Sequence, residues 1–591
     1  MTSAGSPMAS SWPNLATMFF EQAARLGDAP WLWAKRDGVY RALTWRGAAE
    51  RVGRLARGLR AIGVGPGDRV ALVSENRPEW ALADLAIMAA GGITVPAYTT
   101  NTIADHRHLL GDSGARVAIV STAKLAERVF AAAADTSSVE VLVRIEASGP
   151  VPEGRRLVTW DGLAELGSRA DGDPLAWARS LRRDDLACLI YTSGTGGAPK
   201  GVMLSHGAVL HNLAGARALF RTIGLEDEVF LSFLPLSHAY EHTAGLMFPC
   251  SIGAQIYFAE SAGELSRNFL EARPTVVTCV PRLYEILRER ILQQVHKASG
   301  VKRGLFESAL AIGRRRHAAP GRLGLVDRLV DPVLDRLVRA KVRARFGGRL
   351  KAFVSGGAPL NPEVGLFFLA LGVRVLQGYG QTEAAPVISV NLPERNKIET
   401  VGPPLDGVEV KIADDGEILV RGELVMKGYW RNAEATRQTL VDGWLHTGDL
   451  GHLDADGHLV ITDRKKDIIV NSGGDNVAPQ RVEGVLALEP EIAQAMVFGD
   501  RRPHLVALLV PEAEALKTSG IDARDAESVR RALGAAVERA NAKLSVVEKV
   551  KRFAVADETF SVDNGLMTAT LKVRRHAVLA RYRERIEGLY A

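Results

Sequence analysis

The stretch Tyr191-Thr192-Ser193-Gly194-Thr195-Gly196-Gly197-Ala198-Pro199-Lys200-Gly201 decides how this chain is read. It follows the apolar run Leu186-Ala187-Cys188-Leu189-Ile190, which reads as a strand. Gly194, Gly196 and Gly197 let backbone N–H groups converge on an anion. Thr192, Ser193 and Thr195 add hydroxyl donors, and Lys200 adds a positive charge. The spacing fails a Walker-type loop, because Pro199 precedes the lysine and Gly201, rather than Ser or Thr, follows it. It fails a dinucleotide-binding fingerprint too, because the third glycine is missing. A flexible glycine-rich surface loop is the competing reading of the segment taken alone.

Outward from this loop, short apolar runs alternate with helical patterns. Arg69-Val-Ala-Leu-Val-Ser, Arg116-Val-Ala-Ile-Val-Ser and Thr275-Val-Val-Thr-Cys-Val are examples. The alternation predicts an α/β fold with largely parallel sheets. Asn14 is placed to cap a helix that ends near Gly27. From about Val408, Asp-Gly turns at 415–416, 442–443 and 456–457 predict an antiparallel β subdomain. Beyond Asp463-Arg464-Lys465-Lys466-Asp467 the pattern becomes that of a compact α+β unit. The expected organisation is a large N-terminal domain over 1–463, a hinge at 464–466 and a small mobile domain over 467–591.

At 591 residues, 47% hydrophobic and 24% charged, the composition is that of a globular multidomain protein and excludes a disordered chain. Cys188, Cys250 and Cys279 are too few and too scattered for a disulfide framework or a zinc site, as expected of a cytoplasmic protein. Residues 1–14 lack the basic and apolar regions of a signal peptide. The apolar stretch 81–98 contains Asp84 and Gly91-Gly92 and reads as a buried helix running into a strand, not a membrane span. The net charge of +6 is uneven: residues 282–351 hold 18 Lys/Arg against 6 Asp/Glu. Within them, residues 326–346 space Leu and Val as an amphipathic helix with an arginine-rich polar face, and Pro332 is expected in the first turn of the longer piece. That face suits weak, salt-sensitive contact with an anionic membrane, such as peripheral association at the inner face; packing against the main domain is the equal alternative. No nucleic-acid partner is expected.

Further motifs follow the loop in order. They are Leu234-Pro-Leu-Ser-His238-Ala-Tyr-Glu241-His242, Ser355-Gly356-Gly357-Ala358-Pro-Leu360 and Gly378-Tyr379-Gly380-Gln381-Thr382-Glu383. After them come Gly443-Trp-Leu-His-Thr-Gly-Asp449, Arg464, Ser472-Gly473-Gly474-Asp-Asn and Thr568-Ala569-Thr-Leu-Lys572-Val-Arg-Arg575. A tyrosine offers a face for a purine, and a carboxylate can hold Mg²⁺ while the ion grips phosphates. Taken alone, 378–383 also reads as a glycine turn with a capping Thr-x-Glu.

The ordered set, spanning about 14–575, resembles the adenylate-forming superfamily of acyl-CoA synthetases and luciferase-like enzymes, and within it the bacterial long-chain fatty-acid CoA ligases. The resemblance implies ATP and CoA as co-substrates, Mg²⁺ as cofactor and a fatty acid as substrate. It places ATP and AMP on Thr192, Ser193, Gly194, Thr195, Gly196, Gly197, Lys200, Gly356, Gly357, Ala358, Gly378, Tyr379, Gly380, Gln381, Thr382, Asp449, Arg464 and Lys572. Catalytic parts fall to Thr192, His238, Glu383 and Lys572, the metal to Glu383, the hinge to Lys466 and the CoA channel to Gly473 and Gly474. Three positions depart from the pattern: Gly196 for a threonine, Ala569 for a proline and Leu566 for a frequent glutamate. In the implied reaction the carboxylate attacks the α-phosphorus of ATP, and the CoA thiol then attacks the acyl-adenylate. No base for the thiol is identifiable. A fatty acyl-AMP ligase serving a carrier protein, an aryl- or amino-acid-adenylating enzyme and an inactive acyl- or nucleotide-binding protein stay as alternatives.

Overall fold

A computed structural model describes residues 12–146, 154–192, 198–261, 263–319, 321, 323–568 and 572–591. The loop residues Ser193, Gly194, Thr195, Gly196 and Gly197, and Ala569 before the C-terminal lysine, lie outside them. The chain separates into two compact units. One comprises the chain through Lys411 with Leu419–Thr447 and Leu453–Leu459; the other comprises Ile412–Ile418, Gly448–His452 and Val460–Ala591.

The first unit bears out the α/β expectation with two large sheets. In the seven-stranded sheet the order is Arg156–Thr159, Val141–Arg144, Val117–Val120, Arg69–Val73, Ile93–Ala97, Leu186–Thr192 and Lys200–Ser205. All neighbours run parallel except the last pair, which forms a hairpin. In the eight-stranded sheet the order is Val387–Val390, Val375–Gly380, Ala352–Ser355, Val276–Cys279, Val229–Ser232, Gln255–Phe258, Pro30–Arg36 and Val39–Thr44. Its edge pairs are antiparallel and its interior parallel. Interior strands such as Val117–Val120 and Val276–Cys279 are buried at every residue, because helices cover both faces. That is why they read as unbroken apolar runs. Helix Pro78–Ala89 and strand Ile93–Ala97 are the buried pair expected at 81–98. Asn14 caps helix Leu15–Leu26 by accepting from the Thr17 amide, and Gly27 ends it at φ +55°.

The Asp-Gly turns fall where the composition puts them. Asp442 (φ +51°) and Gly443 (φ +79°) link the antiparallel strands Leu440–Val441 and Trp444–Leu453. Both central residues have positive φ, the conformation that closes a two-residue hairpin. These strands join Glu409–Ile412, Glu417–Arg421 and Leu459–Arg464 in one five-stranded sheet.

The core of the second unit is a three-stranded sheet of Ile492–Phe498, Leu505–Pro511 and Val550–Val555. Its middle strand shows why the unit is compact. Leu505, Ala507 and Leu509 pack with Val482, Leu486, Leu533 and Val537 on one face. Val506, Leu508 and Val510 pack with Phe560, Val578, Tyr582 and Ile586 on the other. The two-residue period of a strand thus feeds two helical layers, and all seven residues are apolar because neither face meets water.

The basic segment departs from expectation in two ways. Pro332 lies inside helix Leu325–Leu334 rather than in a first turn. The amphipathic pattern already runs unbroken from Leu325, so the helix forms across the proline. A π-helical turn, Asp335–Arg339, follows it before helix Ala340–Ala344. The segment's cations are also divided: Arg339 and Arg343 turn inward to aspartates, whereas Arg328, Arg336, Lys341 and Arg345 are exposed. Arg315 pairs with Asp327 (2.9 Å), Arg316 and Arg339 with Asp331 (3.0 and 2.7 Å), and Arg343 with Asp335 (2.8 Å). Arg339 is fully buried and also donates to the Ala370 and Ala309 carbonyls, so its charge is paired and its N–H groups are used.

Candidate active site

Several of the motifs sit where an element ends. Thr192 closes one strand and Lys200 opens the next, and the two face each other in the hairpin register. Thr192 and Lys200 therefore stand side by side at the open end of a two-stranded ribbon. Its base is braced from behind. The Tyr191 hydroxyl donates to Asp112 (2.6 Å), the Trp430 indole donates to the Asp112 carbonyl (3.0 Å), and His108 Nε2 lies 2.8 Å from the Pro199 carbonyl.

Gly378, Tyr379 and Gly380 are not a turn. They end strand Val375–Gly380, and Thr382–Ala384 form a single 3₁₀ turn beyond it. Gly380 is required by packing: a Cβ there would lie 1.8 Å from the Pro386 carbonyl oxygen. Gln381 reaches the Thr447 carbonyl, and Thr382 is buried. Glu383 is half-buried, and its Oε1 accepts a hydrogen bond from the Tyr429 hydroxyl at 2.8 Å. The Tyr429 ring also lies beneath the Lys200 ammonium, 4.9 Å from ring centroid to Nζ. Burial, then the Glu383 charge, pushes the Tyr429 phenol up, so it remains a donor. One tyrosine thus ties the loop lysine to the carboxylate. The motif search missed it, although the pair Tyr429-Trp430 after Gly428 is an aromatic signal in the sequence.

The segment 355–360 follows strand Ala352–Ser355, with Gly357 at φ +81° and Ala358 half-buried. Gly356 donates to the Cys279 carbonyl (3.1 Å), and a Cβ there would press on the Tyr240 ring at 3.1 Å. Tyr240 in turn donates to the Val354 carbonyl (2.8 Å), and its amide donates to His238 Nδ1 (3.1 Å). His238 is thereby oriented by the backbone of the same residue whose ring abuts Gly356. Glu241 is fully buried and accepts from the Ser232 and Thr278 hydroxyls, each at 2.6 Å. Burial raises its carboxyl to about 7, and the two hydroxyls oppose that rise. It fastens the 238–242 motif to the ends of two neighbouring parallel strands.

In the second unit, Asp449 on strand Trp444–Leu453 is buried and accepts from Arg464 Nε at 3.0 Å. Lys572 is partly buried near both. Its ammonium is pushed down to about 8, by burial first and then by the Arg464 charge, while Asp449 and Asp467 oppose the shift. Its backbone is held by Thr568, whose amide donates to the Lys572 carbonyl (2.8 Å) and whose hydroxyl accepts from the Lys572 amide (3.1 Å). Leu566 is buried beside Met567, Phe560 and Tyr582, surroundings in which a glutamate would be costly. Arg575 pairs with Glu483 (2.6 Å) and donates to the Val497 carbonyl, so the outer ends of two motifs serve as a brace.

Lys465 pairs with Asp415 (2.6 Å) and Glu417 (3.1 Å), whereas the exposed Lys466 enters no ion pair among the described residues. Gly473 and Gly474 lie in the turn between strands Ile469–Val470 and Asn476–Val477, and the Gly473 amide donates to the Asn471 side chain. Gly474 has φ +87° and open space where a Cβ would stand.

Among the described residues no three His, Cys, Asp or Glu side chains gather as an all-protein metal cage. Glu383, a single half-buried carboxylate held in place by Tyr429, fits Mg²⁺, which takes one or two carboxylates and completes its shell with water and substrate phosphates.

Residues 19–430 match the family described as AMP-binding enzyme, and residues 466–591 match the AMP-binding enzyme C-terminal domain. A long-chain-fatty-acid–CoA ligase of Mycobacterium bovis is 37% identical over 589 residues, covering 98% of this chain and 97% of that one. Fatty acyl-CoA synthetase A of Dictyostelium discoideum is 32% identical over 599 residues, covering 94% and 87%. The adenylation domain of a carboxylic acid reductase from Segniliparus rugosus, solved with AMP and a co-purified carboxylic acid, superimposes with a TM-score of 0.79. It is 24% identical, covers 98% of this chain and 95% of that one, and shares the fold.

The Tyr429 bridge generates a prediction. Tyr429→Phe keeps a ring under Lys200 but removes the hydrogen bond to Glu383, and a bond to a charged group is worth about 1.5–3 kcal/mol. MgATP affinity, measured by calorimetry, should fall roughly 10–100-fold with the circular dichroism spectrum unchanged. Wild-type affinity in the variant would take the bridge out of the site.

Proposed function

This chain belongs to the AMP-binding enzyme family, and from that premise we propose that it is an ATP-dependent long-chain fatty acid:CoA ligase working through an acyl-adenylate. The observation that carries the reading is likeness along nearly the whole chain to long-chain-fatty-acid–CoA ligases. The grouping of Asp449, Arg464 and a depressed Lys572 supports it.

A free carboxylate is a poor acyl donor. Attack of the fatty carboxylate on the α-phosphorus of ATP expels pyrophosphate and leaves a mixed anhydride. Attack of the CoA sulfur on its carbonyl then forms the thioester and expels AMP. Both steps spread negative charge over phosphate oxygens, so positioned cations and N–H groups do most of the work. Thr192 and Lys200 bracket the loop that takes the phosphates. Tyr379 and 356–358 take the adenine, Thr382 faces the α-phosphate and Asp449 accepts from the ribose hydroxyls. Lys572 stabilises the charge of the adenylation step. Glu383 holds Mg²⁺, which neutralises phosphate charge when bound. His238 lines the acyl side, and Gly473 and Gly474 let the pantetheine arm approach the backbone.

Pyrophosphate release across acids of increasing length, followed by thioester formation with free CoA, tests this reading. Long-chain acids should be preferred and CoA should be acylated. Adenylate that accumulates without reacting with CoA would reassign the chain to carrier-dependent acyl transfer. Within the same assay, Lys572→Ala should lose adenylation by roughly 10²–10³-fold yet still convert supplied acyl-AMP and CoA. The protonated form acts, so wild-type adenylation should decline as pH rises through about 8. Lys572→Arg stays charged and should move that decline upward; an unmoved profile would exclude Lys572 as its source.

Lys466, unanchored beside the doubly paired Lys465, is our hinge. Proline fixes φ near −65° and resists a backbone turn. Lys466→Pro should keep pyrophosphate release and lose thioester formation. Equal loss of both half-reactions would refute the hinge.

A further inference from the structure

Helix Leu325–Leu334 and the π turn after it are built with the polar side inward. Asp327, Asp331 and Asp335 recur every four residues and form one face, and each is paired with arginine. The opposite face is apolar and open to solvent. Leu325, Val326 and Leu329 are 80%, 73% and 77% exposed, and Val330, Val333 and Leu337 continue the stripe. Six aliphatic side chains on one exposed face are a large apolar surface for water to meet.

Exposed cations accompany the stripe. Arg328 lies on the same helix, Arg336 in the π turn, and Lys341 and Arg345 on and just after the short helix that follows. All four are exposed, and among the described residues none enters an ion pair. The carboxylates of the same segment are turned inward and neutralised. The solvent-facing side chains of the segment are therefore aliphatic and cationic, and its aspartates are already paired. Two copies meeting face to face would oppose like charges, which disfavours self-association. A bilayer with anionic headgroups fits both parts: the aliphatic stripe enters the interface and the exposed cations meet phosphates. No helix of the described residues is long and apolar enough to cross a membrane, so the contact is parallel to the surface.

The geometry points to 325–345 as an interfacial docking helix for an anionic lipid surface, with the apolar stripe, not the arginine-rich face, as the inserted side. Long-chain acids partition into the same surface, so the benefit of docking rests on the proposed substrate class. The docking itself does not.

Co-sedimentation of the full chain with vesicles of phosphatidylcholine, with and without phosphatidylglycerol, tests it without any turnover, so failure here leaves the ligase reading standing. The chain should bind the anionic vesicles, and added salt should weaken that binding without abolishing it. Leu325→Ser combined with Leu329→Ser should lower vesicle affinity by at least about tenfold, since burying each leucine is worth more than a decade in binding. Arg336→Glu combined with Lys341→Glu should remove the preference for phosphatidylglycerol. All four side chains are exposed, so melting temperatures should match wild type. Absence of binding to either vesicle overturns the proposal. So does unaltered binding in the serine pair, or a concentration-dependent dimer that the serine pair abolishes while vesicle binding is absent.

Discussion

The first unit's site depends on one lacing of backbone. Met426 donates to the Glu383 carbonyl, Lys427 to the Met203 carbonyl, Met203 to the Gly428 carbonyl and Trp430 to the Gly201 carbonyl. Four bonds of 2.7–3.0 Å thus pin residues 426–430 between the strand after the phosphate-type loop and the turn that carries Glu383. The Tyr429 side chain can bridge Lys200 and Glu383 only because its backbone is placed first. Segments more than 180 residues apart in sequence are set within one hydrogen bond of each other by a strand-like contact that no single motif contains.

Burial then sets the chemistry. Lys572 is an ordinary amine moved toward neutrality by its surroundings, with Arg464 adding repulsion and Asp449 and Asp467 holding the charge on. Glu241 is moved the other way by the same cause. Both shifts follow from excluding water around a charge, and neither residue's sequence neighbours announce them. The departures from the family pattern are read in the same terms. Leu566 belongs to an apolar cluster that closes over helix Arg575–Gly588, so the change from a carboxylate improves packing where a charge would have been stranded.

The docking helix shows charge pairing deciding orientation. Its periodicity alone makes it amphipathic, but does not say which side faces out. Each aspartate of the 327–331–335 row finds an arginine on its own side, and Arg339 is buried only because Asp331 and two carbonyls receive it. Pairing of Asp327 and Asp331 with Arg315 and Arg316 of helix Gly300–Ala318 therefore turns the polar side inward and leaves the leucines outside.

Sequence alone determined the fold class, the buried parallel strands, the Asn14 cap, the Asp-Gly hairpins and the order of the motifs. These rest on local periodicity and turn stereochemistry, which a few consecutive residues carry. It also marked Asp449, Arg464 and Lys572, because each stands in a distinctive run. The tertiary structure decided what depends on distance across the chain. It made 378–380 a strand end rather than a turn, since Gly380 is pressed by Pro386. It brought in Tyr429 as the partner of Glu383 and Lys200, and Asp112 as the brace of Tyr191. It placed Pro332 inside a helix and faced the leucines outward, because packing and ion pairing between separate segments, unlike propensity, have no signature in a single stretch of residues.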